Sequence, residues 1–271
     1  MRMLKRHKMG LIGVGNMGTS ILEGVLKRRL ATPSCIWVYD KIVAKAKAFS
    51  RCCHVRAASS ITELLKNADI VLLAVKPQDL YSFAAEHKAS FRAGQCVISI
   101  LAGITTDKIE AELGRGVAVV RAMPNLGAKI GQSMTVLCGK NKKSNSIAAQ
   151  LFSGCGEVVT LPEKMLDLVT ALSGSGPAYF FHVMELLEAF GVKKGLSPKI
   201  ARILAIQTGL GAVLLAKHSQ ALCAELRQMV TSKKGTTEAA LKILQRRRFG
   251  KIFHQALVAA MDRSRQLRRK N

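Results

Sequence analysis

The sequence is short of acids. Its 271 residues hold 17 Asp plus Glu against 42 Lys plus Arg, a formal net charge of +25. Aromatics are scarce too, at 5% with a single tryptophan, and prolines number only six. So few rings, none interleaved with the basic clusters, argue against a stacking platform for single-stranded nucleic acid. The clusters at Arg2–Lys8, Lys27–Arg29, Arg246–Arg248 and Arg263–Lys270 are dispersed. They read as a solvated basic surface that attracts polyanions weakly, with no specific nucleic-acid partner expected. No apolar run reaches the roughly 20 residues of a membrane span. The best, Ile203–Ala216, is interrupted by Gln207 and Thr208, so no membrane partner is expected. The basic start, Met1–Met9, is not followed by a signal-type hydrophobic region, and a cytoplasmic location is expected.

The seven cysteines are odd in number, form no CxxC pair and stand at no zinc-finger spacing to a histidine. Small buried hydrophobes in a reducing compartment is their plain reading. HExxH and nucleophile-elbow patterns are absent as well. No metal site is expected.

Hydrophobic residues make up 49% of the chain, enough for a real core. As far as residue 160, short apolar runs alternate with amphipathic ones. Strands are expected at Gly10–Gly13, Ile36–Tyr39, Val55–Ala57, Ile70–Val75, Val97–Ile100, Val117–Arg121 and Met134–Leu137. Helices are expected between them, at Asn16–Leu30, Val43–Cys52, Ile61–Asn67, Leu80–Lys88, Thr106–Leu113 and Ser144–Gly154. This alternation, with nearly continuous apolar strands, predicts an α/β fold: a doubly wound, Rossmann-type parallel sheet with helices on both faces. Beyond Leu161 strand signals vanish. Two domains follow: 1–161, binding a dinucleotide, and 162–271, all-helical. A long helix from Ser175 to about Lys194 is expected to link them. Ile200–Ala216 is apolar nearly all round and needs burial on most sides, which a second chain can supply.

Gly13-Val14-Gly15-Asn16-Met17-Gly18 matches GxGxxG between a strand and a helix. Gly13 allows the tight turn, Gly15 lets the backbone approach a pyrophosphate, and Gly18 lets helix and strand pack. The pyrophosphate would meet the free N–H groups of the first helical turn. Asp40 ends the second strand at close to the roughly 20-residue spacing of the acid that holds an adenine ribose. Its other reading is a helix cap. Lys41, Lys45 and Lys47 follow it, so the choice between NADH and NADPH stays open. Ala74-Val75-Lys76-Pro77, Ala102-Gly103 and Met123-Pro124-Asn125 follow later strands and face the same crevice. In the helical half, Leu172–Tyr179 and Val230–Thr237 place small residues and hydroxyls at helix starts. Each is either an ordinary cap or a pocket for a small carboxylate.

In order, Gly-Val-Gly-Asn-Met-Gly, Ala-Val-Lys-Pro, Ala-Gly-Ile-Thr, Arg-Ala-Met-Pro-Asn, Leu-Ser-Gly-Ser-Gly-Pro-Ala-Tyr and Ser-x-x-Gly-Thr-Thr resemble pyrroline-5-carboxylate reductase. The resemblance runs from about Met9 to Arg269. It implies NADPH or NADH as cofactor, a helical dimerisation domain, homodimers that assemble further, and reduction of 1-pyrroline-5-carboxylate to L-proline. By position, Ile12, Gly13, Gly15, Asn16, Met17 and Gly18 would line the cofactor, with Asp40, Ala74, Val75, Lys76, Pro77, Ala102 and Gly103. Ser232, Gly235 and Thr236 would hold the substrate carboxylate. Thr237 would place its hydroxyl on the ring nitrogen as the catalytic residue. Ser173 and Ser175 would lie by the substrate, and Glu163 at the edge of the site. The sequence departs from the family at Lys233-Lys234, where proline and glycine are usual, and at Leu126-Gly127. A residue other than glycine at a positive φ costs on the order of 1 kcal/mol. Two alternatives are weighed: another imine or β-hydroxyacid-type reductase on this architecture, and a weakly active derivative that binds nucleic acid.

Overall fold

The computed structural model describes residues 4, 7–114 and 116–270. Of the first basic cluster, Arg2, Lys5 and Arg6 lie outside the described residues. Contacts divide the chain into two compact units. One runs through Ser175 and takes in the chain from Ala260 onward, and the other spans Gly176–Ala259.

The first unit is built on an eight-stranded sheet: β1 (Met9–Ile12), β2 (Ile36–Tyr39), β3 (Arg56–Ala57), β4 (Ile70–Leu73), β5 (Cys96–Ser99), β6 (Ala118–Met123), β7 (Ser133–Gly139) and β8 (Gly156–Thr160). Their order is β3-β2-β1-β4-β5-β6-β7-β8. The ladder is parallel with one correction to the expected all-parallel sheet: β7 runs antiparallel to β6, and β8, absent from the sequence-based reading, pairs parallel to β7. The link from β6 to β7 is a short 3-10 turn, Leu126–Ile130. It is too short for the crossover that a parallel neighbour requires.

Alternate strand residues feed opposite cores, as the two-residue period of a strand dictates. Leu11, Val38, Leu72, Ile98 and Val120 pack on one face. There they meet α1 (Asn16–Lys27), α2 (Val43–Cys53) and α6 (Lys142–Phe152), through Ile21, Leu22, Phe49, Leu151 and Phe152. Ile12, Val71, Leu73, Val97 and Val119 pack on the other. Those residues meet α3 (Ile61–Asn67), α4 (Leu80–His87) and α5 (Thr106–Leu113). The central strands β1, β4 and β5 are buried on both sides, which accounts for their continuous apolar runs.

The sheet ends at Thr160, close to the boundary read from sequence at 161/162. The first compact unit nevertheless continues, because α7 (Leu166–Val169) packs Leu166 and Val169 on Val136 and Cys138 of β7. A π-helical turn, Thr170–Gly174, follows. Asp167, only 8% exposed, accepts a hydrogen bond from Ser264 Oγ at 2.8 Å and pairs with Arg268 at 3.2 Å. These contacts attach the end of the last helix to the first unit.

The second unit contains α8 (Gly176–Lys193), α9 (Pro198–His218), α10 (Cys223–Met229), α11 (Thr236–Arg246) and the first half of α12 (Phe249–Lys270). Ser197 caps α9 through Ile200 N–H, with Pro198 at the first helical position. Yet α9 buries only Ala201 and Ala205. Ile203, Leu204, Leu210 and Val213 are exposed, as are Phe180, Leu186 and Phe190 on α8. By length and composition, α9 also meets the criteria for a membrane-crossing helix. Exposed apolar side chains in such number on two helices mark a place where something binds.

Glu163 ties three elements of the first unit together. Its carboxylate accepts from Thr106 N–H at 2.9 Å, Thr106 Oγ1 at 2.6 Å and Arg121 Nη1 at 2.6 Å. Burial pushes its pKa up, but Thr106 and the Arg121 guanidinium outweigh that and hold it below the ordinary carboxylate value. A carboxylate held low in the folded state stabilises above its unfolded pKa of about 4.3, and that contribution is lost as pH falls through the lower folded value. Glu163→Ala is expected to cost about 3 kcal/mol at neutral pH, because it strands Arg121, whose side chain is 9% exposed. Melting temperatures across pH 3–7 check this: the gap between wild type and variant should narrow at the acid end.

Candidate active site

The carboxyl ends of β1, β2 and β4 stand in register, Ile12 beside Tyr39 and Leu73. The glycine turn leaves from there. Gly13 has φ +98°, and a Cβ on it would fall 2.5 Å from the carbonyl oxygen of Ala74. Only glycine makes that turn without strain. Gly18 is buried, and a Cβ there would meet Gly13 O at 2.7 Å, so its contribution is close packing of α1 on the strand. Gly15 differs from both. Its φ is −93°, and nothing lies within 4 Å of an added Cβ. The space over it is open. The first turn of α1 carries no acidic residue and no side-chain cap, so its N–H groups are free for an anion. The turn therefore fits the pyrophosphate of a dinucleotide.

Asp40 bonds two turns, and it is not the N-cap of α2, which is Ile42 without a side-chain cap bond. Its Oδ1 accepts from Ile42 N–H and its Oδ2 from Val14 N–H, each at 2.8 Å. The first bond stabilises the turn into α2, and the second braces the glycine turn. Each oxygen retains a lone pair, and Asp40 lines the open cavity beside them.

That cavity, about 490 Å3, gathers Ile12, Gly13, Gly15 and Asp40 with Ala74, Val75 and Lys76. Lys41 and Lys45 also line it, and Lys41 pairs with Asp79 at 3.6 Å. Asn16 and Met17 stand in the first turn of α1 and Pro77 opens the short 3-10 turn after β4, all outside its lining. Ala102 and Gly103 belong to a second, smaller cavity of about 180 Å3. There they join Met123, Ser175 and Arg121, together with Arg263 from α12. The structure thus brings two sequence-predicted cofactor residues to one predicted substrate residue. Arg121 and Arg263 were missed. Arg121 had a signal in the sequence, a charged residue inside an apolar strand; Arg263 had none beyond its place in a basic cluster.

Ser173 lies in the π-helical turn, where its hydroxyl is buried with no hydrogen-bond partner among the described residues. In the helical unit, Ser232, Gly235, Thr236 and Thr237 form the entry to α11. Gly235 is its N-cap, with N–H bonded to Ser232 O at 3.0 Å. A Cβ on Gly235 would fall on the Ser232 hydroxyl. Lys234, where the related pattern has glycine, sits at φ +61° with its N–H on Glu238 Oε2 at 2.5 Å. The left-handed conformation is thus kept by a lysine, at a steric cost of about 1–2 kcal/mol.

Other candidate groups are quiet. Burial pushes the Cys138 thiol up to about 12, and those of Cys96 and Cys155 to about 11. They are inert at neutral pH. Among the described residues, no cluster of three or more His, Cys, Asp or Glu side chains is placed to hold a metal ion.

A glycine turn at the carboxyl edge of a doubly wound sheet, open to a cavity with an acid at the second strand end, defines a dinucleotide-dependent oxidoreductase. The comparisons narrow the class. Residues 163–267 match the family model described as pyrroline-5-carboxylate reductase dimerisation, and residues 8–103 match one for NADP oxidoreductase, coenzyme F420-dependent. The chain is 35% identical to the pyrroline-5-carboxylate reductase of Methanosarcina acetivorans, over 98% of this chain and 100% of that one. It is 38% identical to the Pseudomonas aeruginosa reductase, over 96% of each. Among solved structures, the reductase from Coxiella burnetii matches with a TM-score of 0.90 at 34% identity, covering 96% of this chain and 98% of that one. The Plasmodium falciparum enzyme, solved with NADP bound, matches with a TM-score of 0.86 at 28% identity, covering 98% and 99%. The chain belongs to the pyrroline-5-carboxylate reductase family.

A substitution at Gly15 tests folding and the expected cofactor site separately. Gly15→Val builds from a Cβ with nothing within 4 Å of it and needs no unusual φ, so its melting temperature should stay within about 2 °C of wild type. The side chain would occupy the space over the turn, and the dissociation constant for NADPH should rise at least about tenfold. Fluorescence titration of the reduced cofactor, beside a melting curve, tests both halves.

Proposed function

We propose that this protein reduces 1-pyrroline-5-carboxylate to L-proline with NADPH or NADH, the closing step of proline biosynthesis. The reading is carried by the near-complete match to curated reductases, at 35% and 38% identity. When bound, the reduced nicotinamide supplies a hydride to the imine carbon. The C=N π pair moves onto the ring nitrogen, which keeps the proton of the iminium form. Little acid–base help is needed, so the residues act chiefly by positioning.

In this reading Ile12, Gly13, Gly15, Asn16, Met17 and Gly18 receive the pyrophosphate end. Asp40 faces the adenine ribose. Ala74, Val75, Lys76, Pro77, Ala102 and Gly103 line the path to the nicotinamide. Ser232, Gly235 and Thr236 hold the substrate carboxylate by hydroxyls and free N–H groups at the start of α11. Thr237 hydrogen-bonds the ring nitrogen, and Ser173 and Ser175 border the substrate. The exposed apolar faces of α8 and α9 are covered by a second copy of the chain, giving a homodimer that can assemble further. The location is cytoplasmic, and the basic surface serves no specific nucleic acid and no membrane.

Purified protein with pyrroline-5-carboxylate is expected to oxidise NADPH or NADH. Thr237→Ala should lower kcat about 100-fold, the scale of one lost polar group at a reacting centre. Ser232→Ala should raise KM about tenfold, since a hydrogen bond to a charged group contributes about 1.5 kcal/mol. Unchanged rates in both variants would remove the substrate-site assignment. Sedimentation at micromolar concentration is expected to show a dimer or a multiple of it, and a folded monomer would rule out the apolar face as a self-association surface.

A further inference from the structure

Asn125 connects the end of the sheet to the turn that carries Ser173 and Ser175. It follows β6 after Pro124; its carbonyl accepts from Ala128 N–H at 3.1 Å and Ser133 Oγ at 3.5 Å, and it makes three further bonds. Its N–H donates to Ser133 Oγ at 3.1 Å, and Ser133 is buried in β7. Its Oδ1 accepts from Gly127 N–H at 3.0 Å and so caps the following 3-10 turn. Its Nδ2 donates to the carbonyl oxygen of Ser173 at 3.1 Å, across 48 positions of sequence.

The last bond answers a deficit written in the sequence. In a continuing helix the Ser173 carbonyl would accept from the N–H four residues on. That residue is Pro177, which has no N–H. A half-buried carbonyl without its helical donor needs another, and Asn125 provides one. The chain reaches this point through a π-helical turn, Thr170–Gly174, closed by Ser175 N–H on Thr170 O at 2.8 Å. Single π turns of this kind gather at functional sites. Gly174 lets the turn lie directly on Met123, since a Cβ there would come within 2.6 Å of the methionine methyl. Ser175 and Met123 then share one small cavity with Ala102 and Gly103.

We propose that Asn125 is a positioning residue for the reduction: by supplying the donor that Pro177 withholds from Ser173, it sets Ser173 and Ser175 against the Met123 end of the crevice. Asn125 itself is not among the residues that line that small cavity. Its amide is suited to this because the oxygen fixes its own turn while the nitrogen fixes the other; an ionised carboxylate of the same size has acceptors only. The inference rests on the reading that the Ala102–Gly103 crevice takes the nicotinamide and the substrate ring.

The test uses Asn125→Asp, which keeps the acceptor for Gly127 and removes the donor for Ser173. With pyrroline-5-carboxylate and NADPH, kcat should fall at least about tenfold, while the melting temperature and the NADPH dissociation constant stay near wild type. Adding Pro177→Ala restores an N–H four residues beyond Ser173, and the double variant should recover part of the lost kcat. Turnover in wild type with kcat within about twofold in Asn125→Asp would overturn the positioning role. So would a loss of kcat matched by an equal loss of cofactor affinity, or a loss that Pro177→Ala leaves untouched. Absence of turnover in wild type would instead overturn the functional reading beneath it.

Discussion

One carboxylate organises the crevice. Asp40 binds Val14 N–H with one oxygen and Ile42 N–H with the other, and so holds the turn after β1 against the turn after β2. The turn it steadies is under tight steric limits. Gly13 N–H reaches back to Tyr39 O, and Ala74 N–H to Ile12 O. Three strand ends are thereby locked around one glycine at positive φ. The free N–H groups at the start of α1 can face an anion only because the backbone before them is fixed in this way.

The scarcity of acids takes on meaning beside this. Of the 17 in the chain, Asp40, Glu163 and Asp167 are spent on internal bonds. Each joins segments far apart in sequence, and each sits where it can also shape a cavity. Glu163 fixes Arg121 beside Ala102 and Gly103, and Asp167 fixes the α12 residues that complete the same wall. With those acids turned inward, fewer remain to offset the surface lysines and arginines, and the outer surface is basic.

Much of the fold was legible. Ile36–Tyr39, Ile61–Asn67 and Thr106–Leu113 appear as read, because periodic apolar spacing decides such elements locally. β8 was not legible: Glu157, Val159 and Thr160 are not buried, and a half-exposed edge strand has no apolar run to reveal it. The reversal of β7 was hidden because strand direction leaves no mark on side-chain alternation. The glycine turn and the entry to α11 were visible as local patterns. The bonds from Asn125 to Ser173 and from Thr106 to Glu163 were not, since they span 48 and 57 positions and depend on how the chain returns. Lys234 lies between the two cases. Its departure from glycine was plain, and the structure shows that the backbone kept its left-handed turn regardless.

The attachment of α12 to the first unit bears on biosynthesis. Asp167 is buried by Ser264 and Arg268, which are made nearly 100 residues after it. A nascent chain can assemble its sheet early, but this acid stays solvated and the wall beside Gly103 stays open until those positions leave the ribosome. The dinucleotide-binding unit is therefore completed late, after α8 to α11 have already emerged.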